Sequence, residues 1–320
     1  MSLRGHLVTI SALVRRRRRP PRAPHSRPWS ALLEDPVVGA LSLTGRLTEV
    51  EPGRDLVVIV HGLGGHSERD YVLEAAAAAA AAGLSSLRIN LRGADRRGQD
   101  FYHAGLTADL EAVLVSPELA RFERLSLLGF SLGGHTVLRF AVESDDSRFV
   151  AAAAICAPLD LAAAARAIDR PGCWLYRRYV LASLFEIYAA VAARRAVPTP
   201  VEKVRRVRKI RQYDDLVVAP RYGFRCAEEY YATQSVGPRL GGLRRPALLL
   251  LAAEDPMIPP ECVLPFLSAS TPQLQFLRVP GAGHLAFPAA FHLGVRAPAG
   301  LAPQVLGWLR FQGRGGHRTD

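Results

Sequence analysis

The chain has few cysteines. Cys156, Cys173, Cys226 and Cys262 are scattered over 320 residues, with no CxxC pair and no grouping with histidine. This argues against a disulfide framework or a cysteine-based zinc site, and suits free thiols in a reducing compartment. Long apolar runs are missing too: no stretch approaches the roughly 20 residues that a bilayer-spanning helix needs. Acidic residues are absent from residues 1–30, which carry eight arginines. The net charge of +12 is therefore concentrated at one end, and the other 33 basic and 29 acidic residues leave a body near +4. No nucleic-acid recognition motif accompanies the basic stretch 203–211, so no nucleic-acid partner is expected. The first apolar segment, 7–14, precedes the arginines 15–19. A secretory signal has the opposite order, so a cytoplasmic location is expected.

What is present is a composition 49% apolar, enough to bury a large core. Short β-rich runs at 56–60, 86–90, 125–129, 149–156, 247–253 and 274–279 alternate with helical stretches. Such continuous apolar strands predict an α/β fold, a mostly parallel central sheet with helices on both faces. The alanine-rich segment 71–82 predicts a helix, closed by Gly83. About 90 residues between the strands at 149–156 and 247–253 hold no strand pattern. Helices are predicted there at 174–196, 201–212 and 225–236, a helical cap inserted between two late strands. It would cover the carboxyl edge of the sheet, where open α/β sheets bind ligands. The expected organisation is a basic arm (1–35), a core (36–156 and 246–313), a cap (157–245) and a flexible tail (314–320).

Gly129-Phe130-Ser131-Leu132-Gly133 matches G-x-S-x-G, a sharp strand-to-helix turn that exposes a nucleophilic serine. The context fits, because 125–129 reads as a strand and 135–143 as a helix. A serine hydroxyl needs a base that is itself oriented by a carboxylate. Downstream, LLLLAAEDPMIP ends a strand with an acidic pair and VPGAGHLAF ends the next with a histidine. Asp255, which begins the turn before Pro256, is read as the acid in preference to Glu254, and His284 as the base. His292 and His317 are weaker on placement. The oxyanion needs backbone donors, assigned to the amides of Leu63 and Leu132. Leu63 lies in VIVHGLGGH, where His61 is read as holding the loop rather than as catalytic. No cofactor and no metal are expected.

The chain resembles the YheT-like branch of the α/β-hydrolases. The likeness is carried by HLVTI (6–10), HGLGG, LRGA (91–94), YHAGLTADL (102–110), VRRVRKIRQYDD (204–215), EDPMIP and GAGHLAF. The resemblance implies a serine carboxyl-ester hydrolase of the α/β-hydrolase fold, esterase- or lipase-like, and supports Ser131, Asp255 and His284 position by position. Departures are His135 where the family usually has asparagine, Glu254 where it has aspartate, and the poorly matching stretch 20–51.

The expected partner is a small-molecule ester with a hydrophobic acyl or alcohol part, suggested by Trp174, Tyr179, Phe185 and Tyr188. Competing readings are an acyltransferase or thioesterase using the same triad, and a non-catalytic binding protein on the hydrolase scaffold. Leu3, Leu7, Ile10 and Val14 at helical spacing, followed by five arginines, would suit a membrane-surface helix. Because the family carries a basic pair at this place, docking of the arm on the body is the simpler reading, with peripheral membrane contact as the alternative.

Overall fold

The computed structural model describes residues 3–268 and 271–313; the tail 314–320 lies outside the described residues. Eight strands form one sheet: β1 (Arg27–Asp35), β2 (Gly39–Thr48), β3 (Asp55–Val60), β4 (Ser85–Asn90), β5 (Arg124–Phe130), β6 (Phe149–Ile155), β7 (Ala247–Ala252) and β8 (Leu274–Val279). Their order is β1-β2-β4-β3-β5-β6-β7-β8. β1, β2 and β4 pair antiparallel, and every pairing from β4 through β8 is parallel.

The helices are α1 (Leu3–Arg18), α2 (Asp70–Ala81), α3 (Ala108–Leu114), α4 (Leu132–Glu143), α5 (Leu161–Ile168), α6 (Trp174–Ala192), α7 (Val201–Arg205), α8 (Ile210–Tyr213), α9 (Ala219–Tyr222), α10 (Ala227–Gln234) and α11 (Leu301–Gly313). Alternate strand side chains point to opposite faces. Val58 and Val60 of β3 join a core shared with α4 and the helices between β6 and β7, whereas Val57 and Ile59 pack with α2 and α11. Gly83 takes φ +71° just past α2, the left-handed conformation that closes a helix at low cost to glycine.

Two elements depart from expectation. Residues 27–35, expected in the arm, form the edge strand β1, paired along its whole length with β2. The helix expected over 201–212 is broken, because the carboxylate of Asp169 accepts the amides of Ile210 and Arg211 and starts a new turn there.

α1 docks on the body through its small residues. Gly5 abuts the carbonyl of Glu254, Ala12 is buried, and Arg16 holds Glu74 of α2 with a bidentate contact. Leu3 and Leu7 on the other side are 76% and 61% exposed. No helix among the described residues is long and apolar enough to cross a membrane.

A buried ionic cluster joins the sheet to the helices between β6 and β7. Arg92 follows β4 with its side chain 2% exposed, and bonds Asp35, Asp100 and Asp109. Arg221 of α9 reaches the same Asp35 and Asp100, at 3.0 and 2.6 Å.

Candidate active site

β3, β5, β6, β7 and β8 run parallel, so the loops leaving their carboxyl ends gather on one edge of the sheet. His61–Leu63 follows β3, Ser131 follows β5, Cys156 follows β6, Asp255 follows β7 and His284 follows β8. Residues scattered over more than 220 positions thus reach one place by strand polarity alone.

Ser131 sits at the junction of β5 and α4 with φ 52° and ψ −120°, a strained conformation for a residue with a side chain. The flanking glycines make the turn sterically possible. A Cβ on Gly129 would lie 2.2 Å from the carbonyl oxygen of Gly133, and one on Gly133 would lie 2.3 Å from that of His61. The Ser131 amide donates to the carbonyl of Ile155 at 2.8 Å, tying the turn to β6.

Asp255 is buried and uses both carboxylate oxygens. Oδ1 accepts the amides of Met257 and Ile258 at 2.8 and 2.9 Å, and Oδ2 lies 2.8 Å from His284 Nδ1. Its neighbour Glu254 instead turns toward Arg4 of α1, 3.5 Å away. The turn thus separates the two carboxylates, with only Asp255 hydrogen-bonded to the imidazole. His284 is held from behind as well: its amide donates to the Thr9 hydroxyl at 2.9 Å, and Leu285 beside it takes φ 52°. With Nδ1 engaged by the carboxylate, Nε2 is the nitrogen free to exchange a proton. The Ser131 hydroxyl makes no hydrogen bond among the described residues, and such contacts in ligand-free sites often tighten only when substrate arrives.

The loop after β3 is built to expose amides. Gly62 N–H donates to the Tyr71 hydroxyl at 3.0 Å and Gly64 N–H to the Tyr102 hydroxyl at 2.7 Å. Between them, the Leu63 amide has no acceptor among the described residues, nor has the Leu132 amide at the start of α4. Both residues are half-buried. His61 is fully buried, with Nδ1 2.8 Å from the Gly62 carbonyl and Nε2 accepting the Leu91 amide. Burial pushes its pKa down to about 3, so it stays neutral and braces the loop. His135 likewise bridges rather than reacts, between the carbonyls of Pro158 and Gln234.

Cys156 is a neighbour that sequence reasoning missed. It is buried at φ 52°, and its sulfur lies within 4.8 Å of ligand atoms of both Asp255 and His284. Burial, and then the Asp255 charge, push its thiol well above the usual range, so it faces the carboxylate as S–H. These three side chains are the one grouping with metal-ligand spacing among the described residues, and two of its donor atoms already bond each other. Only the position after a strand end could have signalled Cys156. Of the aromatic residues read as substrate-facing, Trp174 and Tyr179 are exposed, but Tyr188 is buried and bonded to Thr199. Tyr188 packs the interior.

The family described as Serine aminopeptidase, S33, matches residues 51–287. The Escherichia coli protein named "Putative esterase YheT" is 28% identical over 243 residues, 72% of this chain and 70% of its own. The monoacylglycerol lipase of Saccharomyces cerevisiae is 26% identical over 222 residues, 65% of this chain but 49% of its own length. Among solved structures, a proline iminopeptidase of Mycobacterium smegmatis superposes with a TM-score of 0.56 at 20% identity, covering 92% of this chain and all of that one.

Proposed function

Because the chain belongs to the serine aminopeptidase S33 family and is an esterase- or lipase-type α/β-hydrolase, we propose that it hydrolyses carboxyl esters through Ser131, His284 and Asp255. Ser131 Oγ attacks the ester carbonyl and passes its proton to His284 Nε2. Asp255 Oδ2 orients the imidazole through Nδ1 and stabilises its charged form. The tetrahedral oxyanion takes hydrogen bonds from the amides of Leu63 and Leu132, each donor worth about 3 kcal/mol in such sites. His284 then returns the proton to the leaving alcohol, and water, deprotonated by the same imidazole, releases the acid.

The observation that carries this reading is the 2.8 Å contact between His284 and Asp255, on the sheet edge that also bears Ser131 in its strained turn. A hydrophobic acyl or alcohol part is favoured by the exposed Trp174 and Tyr179 on α6 and by the monoacylglycerol lipase among the relatives. In this reading residues 157–245 act as the cap over that edge.

The test is labelling with a fluorophosphonate probe beside turnover of p-nitrophenyl esters of graded chain length. Ser131→Ala should abolish both while leaving the circular dichroism spectrum unchanged. Labelling that persists would place the nucleophile elsewhere. Adding alcohols to the assay separates hydrolysis from acyl transfer.

A further inference from the structure

Docking of α1 leaves a face of that helix without a partner. At about 100° per residue, Gly5, Thr9, Ala12 and Arg16 fall on one side of the helix, and Leu3, Leu7, Ile10 and Val14 fall nearly opposite. The first set makes the contacts to the body: the Glu254 carbonyl, the His284 amide, a buried methyl and Glu74. The second set is 76%, 61%, 37% and 40% exposed, a stripe about 16 Å long at 1.5 Å per residue.

The same helical geometry puts Arg17 and Arg18 on the two flanks of this stripe. Arg15, Arg17, Arg18 and Arg19 form no ion pair among the described residues, although Arg4 and Arg16 do. α6 lies against α1 and adds exposed apolar side chains of its own. His6 stacks on Tyr176 of α6 with ring centroids 5.6 Å apart, and around Tyr176 the side chains of Trp174, Leu175 and Tyr179 are 56%, 48% and 47% exposed.

We propose that this α1–α6 face docks on the surface of an anionic lipid bilayer. The leucines and isoleucine enter the boundary between headgroups and acyl chains, the arginines meet lipid phosphates, and Trp174 sits at headgroup depth. Charge complementarity selects this occupant: an acid-free, arginine-flanked apolar stripe fits a negatively charged interface, whereas a neutral protein surface would leave the cations unmatched. Docking on the body and contact with a membrane are thus done by opposite faces of one helix. Because the inner face holds the His284 loop through Thr9, the bilayer would lie against the edge that the proposed reaction uses; this orientation rests on that reading, and the docking itself does not.

The test is flotation of the full chain, as Ser131→Ala so that hydrolysis cannot alter the lipid, with vesicles of phosphatidylglycerol and phosphatidylcholine. Binding is expected with a third phosphatidylglycerol, and at least tenfold less with phosphatidylcholine alone or in 0.5 M salt. Trp29 and Trp308 are buried, so a blue shift of emission on binding reports Trp174. Leu7→Asp, and separately Arg17→Gln with Arg18→Gln, should each weaken partitioning at least tenfold, while hydrolysis of a soluble short-chain ester, measured in the Ser131 background, stays unchanged. Equal binding to neutral vesicles, no binding to anionic ones, or both variants partitioning like the parent would overturn the proposal. So would a dimer in solution that Leu7→Asp dissociates, which would give the stripe to a second copy.

Discussion

The amide of His284 donates a 2.9 Å hydrogen bond to the hydroxyl of Thr9, a residue 275 positions earlier in the chain. The first helix therefore sets the backbone that carries the imidazole, and Arg16 adds a bond to the carbonyl of Leu285 at 3.0 Å. Thr9→Val keeps the shape and removes the acceptor, leaving that amide without its partner at a cost of about 1 kcal/mol. Turnover should fall roughly fivefold with KM little changed, as steady-state kinetics on a short ester would show, because the change loosens the base without touching substrate.

Asp255→Asn should leave the turn intact, since the amide oxygen still accepts from Met257 and Ile258. The amide nitrogen, however, would face His284 Nδ1 and favour the wrong tautomer. In the serine-protease triad this exchange costs about 10⁴-fold in kcat. A similar loss here, with a melting temperature within a few degrees of the parent, is the expected outcome; an active Asp255→Asn enzyme would move the acid elsewhere.

Gly133→Ala tests the turn itself. The added Cβ would meet the backbone oxygens of His61 and Val60 at 2.3 and 2.6 Å, and backbone cannot swing aside as a side chain can. Destabilisation of about 3 kcal/mol, at the upper end for overpacking, is expected by urea unfolding.

Acid should destabilise the fold through its buried histidines. Burial lowers His61 and His103 to about 3 and His66 and His135 to about 4, from 6.5. Each depressed pKa contributes stability that is complete above pH 6.5 and is lost as pH falls toward the folded value, because the unfolded chain binds the proton first. Asp214 opposes: burial raises it to about 7, partly countered by the Tyr231 hydroxyl, so its contribution fades as pH rises. With four histidines against Asp214 and Asp109, whose carboxyl burial also raises, a net of two groups, unfolding free energy should drop by about 3 kcal/mol per pH unit between pH 6 and 4.5, at about 1.4 kcal/mol per group. Urea titrations at stepped pH would measure the slope.

β3, β5, β6 and β7 could be read from sequence because each is buried on both faces and so forms a nearly unbroken apolar run. β2 escaped because one of its faces is open: Leu41, Leu43 and Leu47 point inward between polar Ser42, Thr44 and Arg46, the period-two signature of an antiparallel strand. That Ser131, Asp255 and His284 would gather at one edge of the sheet was legible because each follows a strand end with its own local chemistry. The break in the helix over 201–212 was not, since its cause, Asp169, lies some 40 residues away. The docking face of α1 was not legible either: the periodic leucines suited a membrane surface, whereas Gly5, Thr9 and Ala12, which let the helix approach the body, carry no pattern of their own.

The ion cluster around Arg92 bears on how a guest could enter. Arg221 is welded to the sheet side through Asp35 and Asp100, and those carboxylates are only 9% and 2% exposed. Lifting α9 off the sheet would break these pairs, and losing a single partner of a buried pair costs about 3–5 kcal/mol. In the proposed reaction, substrate would therefore reach Ser131 by local adjustments around this anchor rather than by a hinge that lifts α9 from the sheet.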